Sequence, residues 1–252
     1  METLKGQTAL VTGGGRGIGR SVALAFARAG AQVAVAARTQ TEIAAVAGEC
    51  GGLAVQLDVT DENGCAEAVG RVEREFGRLD ILVNNAGVAT SHKFTELDTA
   101  SWRRTLAVDL EGPFFLTRAA VPGMLQRGSG AVIAIASVAS RTGAPYIAAY
   151  TAAKHGLLGL MRSLAAEYAA RGLTFNCVCP GYVDTPMTQM TLDTIVAKTG
   201  RSREEALKPL LTPQRRLVKP EEVAAVCLLL ASEAGRGING QAINVDGGLV
   251  QS

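Results

Sequence analysis

Short apolar segments rich in β-branched residues alternate along the chain with longer segments whose apolar residues recur at helical spacing. Buried parallel strands read as continuous apolar runs, so this alternation predicts a parallel sheet covered by helices on both faces. The predicted strands are Thr8–Thr12, Gln32–Ala37, Leu53–Asp58, Ile81–Asn84, Ala131–Ala136, Thr174–Val178 and Ala242–Val245. Helices are predicted in the intervals, including Gly17–Ala29, Glu62–Phe76, Trp102–Gln126, Ala149–Arg171 and Pro220–Ser232. The predicted fold is α/β, a doubly wound parallel sheet of seven strands.

The whole chain, residues 1–252, is predicted to form a single domain, because no linker, low-complexity tract or repeat interrupts the alternation. One long departure from the pattern, residues 186–219, lies between the last two strands and is expected to cover the functional site. Within it, Ser202 and Glu205 match a helix capping box. Part of this insertion should therefore be helical.

Composition and charge exclude several classes of function. A net charge of +2 favours neither nucleic acid nor an anionic membrane as a partner. No apolar run approaches the roughly 18 residues of a membrane span, and the start at Met1 has no signal-peptide pattern, so a cytoplasmic location is expected. Five cysteines without a C-x-x-C motif predict reduced thiols, and His92 and His155 lack metal-ligand spacing. We expect metal-free chemistry on a small molecule.

A glycine-rich turn follows the first predicted strand and opens the first predicted helix. It reads Thr12-Gly13-Gly14-Gly15-Arg16-Gly17-Ile18-Gly19, with the spacing Gly-x-x-x-Gly-x-Gly. Glycines allow close backbone approach, and a helix N-terminus offers free N–H groups to a phosphate. This context predicts a dinucleotide pyrophosphate site formed by Gly13, Gly15, Arg16, Gly17, Ile18 and Gly19; the alternative is a tight turn without a ligand.

The end of the second predicted strand bears on which dinucleotide binds. An acidic residue there would bind a ribose hydroxyl, but the sequence is Ala36-Ala37-Arg38-Thr39. Arg38, together with Arg16, can instead offer charge and planar donors to a 2′-phosphate. We therefore predict NADP(H) as the favoured cofactor, with NAD(H) as the alternative. Solvated surface positions are the other interpretation of both arginines.

Tyr150 and Lys154 are four residues apart in a predicted helix, which places a phenol and an ammonium group on the same face. A free phenol titrates near pH ~10, and a neighbouring cation lowers that value. Tyr150 can then act as a general acid or base. A half-buried tyrosine beside a solvated lysine is the plain structural alternative.

Taken together, the glycine turn, Asn84-Asn85-Ala86-Gly87, Ser137, Tyr150 with Lys154, and Pro180-Gly181 resemble the short-chain dehydrogenase/reductase family. The resemblance extends over essentially the whole chain and implies a Rossmann-like fold. It implies that Tyr150 donates a proton to a carbonyl oxygen during reduction and removes it from the hydroxyl during oxidation. By the same resemblance, Ser137 hydrogen-bonds that oxygen and Lys154 also holds the nicotinamide ribose.

The resemblance also implies further cofactor contacts, for which turn formation and capping are the alternatives. Asp58 matches the adenine-contacting residue at the end of the third strand, and Val183 and Thr185 match residues beside the nicotinamide carboxamide. The complete set of additional expected contacts is Asp58, Val59, Asn85, Ala86, Gly87, Pro180, Gly181, Val183 and Thr185.

One position departs from the family pattern. The family's fourth catalytic residue is usually an asparagine, and Asp109 occupies the matching position here. A carboxylate accepts hydrogen bonds but does not donate them unless it is protonated. Asp109 is expected to belong to the catalytic group, and four interpretations stay open. The family role can rest on the main-chain carbonyl, unaffected by the change, or on the side-chain amide, in which case the proton relay is impaired. Asp109 can also form an ion pair that holds Lys154 charged, or occupy a helix position without catalytic function.

The residues around Tyr150–Gly156 and Pro180–Met187 look similar to 3-oxoacyl thioester and polyketide ketoreductases, which favours reduction of a 3-oxoacyl group. The insertion is also rich in basic residues that can face a thioester-linked substrate or solvent: Lys198, Arg201, Arg203, Lys208, Arg215, Arg216 and Lys219. The alternatives are an NAD-dependent secondary alcohol or hydroxy acid dehydrogenase, and a non-catalytic dinucleotide sensor or scaffold. The family resemblance further implies a homotetramer.

Overall fold

The computed structural model describes residues 3–251 and contains one parallel sheet. Its strands are β1 Thr8–Thr12, β2 Gln32–Ala37, β3 Leu53–Gln56, β4 Ile81–Asn84, β5 Gly130–Ile135, β6 Leu173–Pro180 and β7 Ala242–Val245. The strand order is β3-β2-β1-β4-β5-β6-β7. The doubly wound, seven-stranded prediction is therefore confirmed, with β3 ending two residues earlier and β6 reaching two residues further than expected. The prediction that the N-terminus has no signal peptide concerns a segment that begins with Met1 and Glu2, and these two residues lie outside the described part of the chain.

The helices are α1 Gly17–Arg28, α2 Gln40–Cys50, α3 Glu62–Phe76, α4 Thr99–Leu106, α5 Gly112–Arg127, α6 Ala148–Tyr168, α7 Pro186–Thr199, α8 Arg203–Leu207 and α9 Pro220–Ala231. Short 3-10 segments cover Phe94–Glu96, Val138–Ser140, Ala169–Arg171, Lys208–Leu210 and Glu233–Gly235. The predicted capping box at Ser202 and Glu205 is present and begins α8, which confirms that part of the insertion is helical.

The single helix expected over residues 102–126 is wrong, because a π-helical turn, Ala107–Glu111, separates α4 from α5. Pro113 has no N–H to donate to the carbonyl of Asp109, so the regular helical hydrogen-bond pattern is interrupted at that position. Such turns occur frequently at functional sites. Asp109 lies at the centre of this one.

Two apolar clusters pack on opposite faces of the sheet. One includes Leu10 of β1 with Met124 and Leu157 from α5 and α6. The other includes Val11, the next residue along β1, with Phe26 of α1. Because successive side chains of a strand point to opposite faces, β1 contributes to both clusters, as its uninterrupted apolar sequence predicts.

The strand order reverses between β1 and β4, whose loops therefore leave in opposite directions and open a crevice at the carboxyl edge of the sheet. Gly19 lies in this crevice region, in the first turn of α1. A Cβ at Gly19 would be 2.4 Å from the Gly13 carbonyl oxygen and 2.4 Å from Nδ2 of Asn85. The tight packing explains why a glycine is needed there.

We expect Gly19→Ala to destabilise the protein by roughly 1–3 kcal/mol, since the added methyl would meet immobile backbone. Gly48→Ala is a matched control, because Gly48 is exposed in α2 with nothing within 4 Å of its added Cβ. Its higher helix propensity should stabilise the fold by up to about 1 kcal/mol. Urea unfolding of both variants checks this, and equal midpoints for the two would contradict the packing argument.

Candidate active site

Hydrogen bonds join the glycine-rich turn after β1 to the turn after β4. The Thr12 hydroxyl accepts hydrogen bonds from the backbone N–H groups of Asn85 at 3.0 Å and Ala86 at 3.1 Å. The Asn85 side-chain amide donates to the carbonyl oxygens of Thr12 at 2.8 Å and Gly13 at 3.1 Å. These contacts hold the two turns together at the crevice.

The glycine turn has the backbone surface that a pyrophosphate needs. Gly13 adopts a φ of 61°, and a Cβ there would lie 2.8 Å from Nδ2 of Asn85. Helix α1 begins at Gly17, and the side chain of its N-cap residue, Arg16, makes no capping hydrogen bond. The first N–H groups of α1, including that of Ile18, are thus not capped by this side chain. Residues 13–19 thus have the backbone groups that could hold a pyrophosphate, and the predicted site stays a prediction.

Arg38 and Asp58 lie near each other where β2 and β3 end. Asp58 accepts hydrogen bonds from the Thr60 N–H at 3.0 Å and the Thr60 hydroxyl at 2.9 Å. Although partial burial opposes it, these bonds and the charge of Arg38 lower the pKa of Asp58. Val59, the next residue, is buried. Arg38 and Asp58 are therefore close enough for their charges to interact.

A buried ion pair joins α6 to the π-helical turn. Nζ of Lys154 lies 3.1 Å from Oδ1 of Asp109, and their relative exposures are 4% and 0%. The Val88 N–H donates to Oδ2 of Asp109 at 3.2 Å, and Lys154 donates to the Ile135 carbonyl at 3.0 Å. Burial alone would lower the pKa of Lys154, but the Asp109 carboxylate and the Tyr150 phenol outweigh it and raise this pKa. Lys154 is held as a cation.

Tyr150 lies beside both Lys154 and Ser137. Nζ of Lys154 is 5.6 Å from the centre of the Tyr150 ring, and the Ser137 side chain is close enough to the phenol to lower its pKa. Burial raises the pKa of Tyr150 and outweighs the opposing effect of Lys154, while Asp109 raises it further. Lys154 does lower the pKa of Tyr150, as the sequence predicts, but the net shift is upward because desolvation of the phenolate is the larger effect.

The loop after β4 connects the catalytic candidates to the crevice. A Cβ at Gly87 would lie 2.8 Å from Oδ1 of Asp109 and 3.7 Å from Nζ of Lys154. Only a glycine therefore fits against the ion pair. Asn85 and Ala86, immediately before it, contact the glycine turn.

The segment after β6 lies against the start of α1. A Cβ at Gly17 would be 3.2 Å from Cγ2 of Thr185, the N-cap residue of α7. Val183 forms a β-bridge with Val218, and Gly181 follows Pro180 at the end of β6 with its N–H donating to the Val245 carbonyl. Of the four candidates in this segment, Thr185 lies directly against the glycine turn.

Two side chains near the site were not identified from the sequence. Glu42 of α2 lies against the glycine turn, where its Oε1 is 3.6 Å from Nη1 of Arg16. Tyr146 has a φ of 71° and is 61% exposed, and its carbonyl accepts a hydrogen bond from the His92 N–H. A left-handed conformation at a bulky residue is uncommon and occurs preferentially at functional sites. No sequence pattern indicated it.

The cysteines are reduced, as the sequence predicts. All five cysteines are free thiols, and Cys177 and Cys179 are buried in β6. Among residues 3–251, His, Cys, Asp and Glu side chains form no group of three or more suited to a metal ion. No helix in the same range is both long and apolar enough to cross a membrane.

Comparison with known proteins identifies the family. The family model described as enoyl-(acyl carrier protein) reductase matches residues 13–250. The 3-oxoacyl-(acyl-carrier-protein) reductase FabG of Thermotoga maritima is 35% identical, over 98% of this chain and 99% of its own. D-threitol dehydrogenase of Mycolicibacterium smegmatis is 38% identical, over 97% of this chain and 93% of its own.

The crystal structure of levodione reductase superimposes with a TM-score of 0.92 at 28% identity, covering 97% of this chain and 98% of that one. The fold described above is therefore shared with that structure over nearly the whole chain. The protein belongs to the short-chain dehydrogenase/reductase family and is an NAD(P)(H)-binding oxidoreductase of the CH–OH/C=O class.

Proposed function

We propose that this protein is an NADP(H)-dependent oxidoreductase that interconverts a ketone and a secondary alcohol, with a 3-oxoacyl thioester as the substrate class. The observation that carries the proposal is the grouping of Ser137, Tyr150 and the buried Lys154–Asp109 pair beside the glycine turn. In this proposal Ser137, Tyr150 and Lys154 are the catalytic residues, and Asp109 acts through Lys154. The bound nicotinamide supplies the hydride chemistry.

In the direction of reduction, negative charge develops on the carbonyl oxygen of the substrate. The Tyr150 phenol donates a proton to this oxygen, and the Ser137 hydroxyl donates a hydrogen bond to it. Lys154 stays protonated because Asp109 lies 3.1 Å away, and its charge stabilises the phenolate that remains. Because these donors are already positioned, they stabilise the transition state more than the ground state.

The cofactor preference in this proposal rests on Arg16 and Arg38. Both are exposed, on the glycine turn and after β2 respectively. A guanidinium group binds a phosphate through two parallel hydrogen bonds, so the pair suits a 2′-phosphate. The name of the Thermotoga relative, a 3-oxoacyl-(acyl-carrier-protein) reductase, supports the proposed substrate class.

Apolar side chains support an acyl substrate. Tyr182 is close enough to Tyr150 to raise the pKa of its phenol, and Tyr182 is itself partly exposed. Met187 and Met190 of α7 and Tyr146 before α6 are also exposed. Flexible methionines and aromatic rings can pack along an acyl chain.

The basic residues of the insertion contribute less to the proposal than their number suggests. Three of the seven form ion pairs: Arg203 with Asp193, Lys208 with Glu204, and Arg216 with Glu222. Lys198 donates a hydrogen bond from α7 to the Ser91 carbonyl. These contacts leave less positive charge for a phosphopantetheine group or a carrier protein.

A second candidate is an NAD-dependent dehydrogenase of a secondary alcohol or hydroxy acid, which the carboxylate of Glu42 beside Arg16 favours. A non-catalytic sensor would not need the intact Ser137, Tyr150 and Lys154 set. The homotetramer and the cytoplasmic location remain predictions.

The first test compares NADPH and NADH with acetoacetyl-CoA as the substrate, by kcat/KM under matched conditions. We expect NADPH to be preferred, and Arg38→Ala to reduce that preference by about tenfold, since a phosphate contact is lost. Arg28→Ala, at the opposite end of α1, is the control and should leave the preference unchanged. A wild-type preference for NADH would contradict the cofactor assignment, and turnover of simple ketones alone would contradict the thioester assignment.

Tyr150→Phe should lower kcat by at least about a hundredfold, because the ring remains but the transferable proton is lost. Calorimetric titration should find cofactor binding within a few-fold of the wild type, which separates lost chemistry from lost folding. An unchanged rate would refute the mechanism.

Asp109→Asn should keep kcat within a few-fold and shift the pH profile of alcohol oxidation. Oxidation requires the Tyr150 phenolate, so its rate increases as the pH rises through the pKa of Tyr150. The Asp109 charge raises this pKa, and its removal should therefore move the increase to lower pH. The measurement is kcat/KM against pH for both proteins. A hundredfold change in kcat would contradict the expectation of nearly unchanged turnover, and a shift to higher pH would show that Lys154 loses its charge when Asp109 is replaced.

A further inference from the structure

Glu42 supplies a carboxylate at the glycine turn that β2 lacks. A Cβ at Gly15 would lie 2.8 Å from Cβ of Glu42 and 3.1 Å from its Oε2. The other carboxylate oxygen, Oε1, lies 3.6 Å from Nη1 of Arg16. The Glu42 side chain therefore packs directly against the backbone that would hold the cofactor.

The start of α2 indicates that this orientation is not set by helix capping. Thr39-Gln40-Thr41-Glu42 matches the capping-box pattern, but the side chain of the N-cap residue Thr39 makes no capping hydrogen bond. The same pattern at Ser202 and Glu205 forms both bonds of the box. Glu42 therefore contacts the glycine turn, and the capping box that its sequence would allow is not formed. Departures of this kind from a local sequence pattern are expected at functional positions.

The charge of Glu42 affects NADP(H) and NAD(H) differently. A phosphate monoester carries a charge of about −1.5 to −2 at neutral pH, and a nearby carboxylate repels it. Glu42 also pairs with Arg16, one of the two cations available to that phosphate. The ribose hydroxyl of NAD(H) can instead donate a hydrogen bond to a carboxylate, as it does to the acidic residue of other dinucleotide sites.

We propose that Glu42 is a specificity-determining residue that weakens binding of the 2′-phosphorylated cofactor relative to NAD(H). The inference rests on the proposed cofactor site at the glycine turn. The two cations, Arg16 and Arg38, favour NADP(H), and Glu42 opposes them. The wild-type protein therefore prefers NADP(H) over NAD(H) by less than the two arginines alone would cause. The 3.6 Å separation from Arg16 leaves that guanidinium available to a stronger anion.

The test is calorimetric titration of NADPH and NADH into the wild type, Glu42→Gln and Glu49→Gln without substrate. Glu49 is the matched control, because it also lies on α2 and pairs with an arginine, Arg20, at 2.7 Å. Its substitution makes the same change in net charge away from the glycine turn. Glutamine keeps the size of the side chain in both variants.

We expect Glu42→Gln to lower the Kd of NADPH by about three- to tenfold without lowering that of NADH. Glu49→Gln should leave both values unchanged. Because exposed charges are screened by salt, the effect of Glu42→Gln should shrink at high NaCl concentration.

Equal tightening of both cofactors, an unchanged Kd for NADPH, or the same response in Glu49→Gln would overturn the inference. A wild-type preference for NADH would refute the proposed cofactor, yet Glu42→Gln would still have to shift the ratio of the two Kd values. Failure to bind either cofactor would overturn both proposals.

Discussion

Lys154 of α6 carries a buried positive charge, and the architecture of the site depends on this charge more than on any other. A buried ammonium ion is costly unless it is paired and hydrogen-bonded. Here Asp109 supplies the charge and the Ile135 carbonyl at the end of β5 supplies a further acceptor. The position of Asp109 depends in turn on the π-helical turn between α4 and α5, and its carboxylate leaves room only for a glycine at position 87.

This arrangement makes the catalytic candidates and the cofactor crevice one connected structure. Gly87 contacts the ion pair, and Asn85, two residues earlier, is hydrogen-bonded to the glycine turn. The ion pair also has an electrostatic consequence. Burial and Asp109 raise the pKa of Tyr150 and outweigh Lys154, which lowers it, so the phenol is held protonated. Such a group is poised to donate a proton, as the reduction of a carbonyl requires.

The far end of the crevice balances opposite charges in a similar way. Arg16 and Arg38 are attractive to a phosphate, while Glu42 lies beside the first and Asp58 is close enough to the second for its pKa to be lowered. Cofactor preference at such a site depends on the difference between attraction and repulsion, because specificity is a difference of affinities. Arg38 at the end of β2 therefore shows that one contribution favours the phosphorylated cofactor. It does not by itself give the net cofactor preference.

The sequence by itself determined the order of strands and helices, because buried parallel strands need continuous apolar runs and covering helices need an apolar face of helical period. It also determined the glycine turn and the Tyr150–Lys154 spacing, since both depend on residues close together in the chain. Only the tertiary structure decided the features that need distant groups: the Asp109 ion pair and the net direction of the Tyr150 pKa. The same is true of Glu42, which is 26 positions from Arg16 in the sequence and reaches it only because α2 packs beside the glycine turn. Burial and charge act through space, so the net pKa shift of a group cannot be predicted from the residues next to it in the sequence.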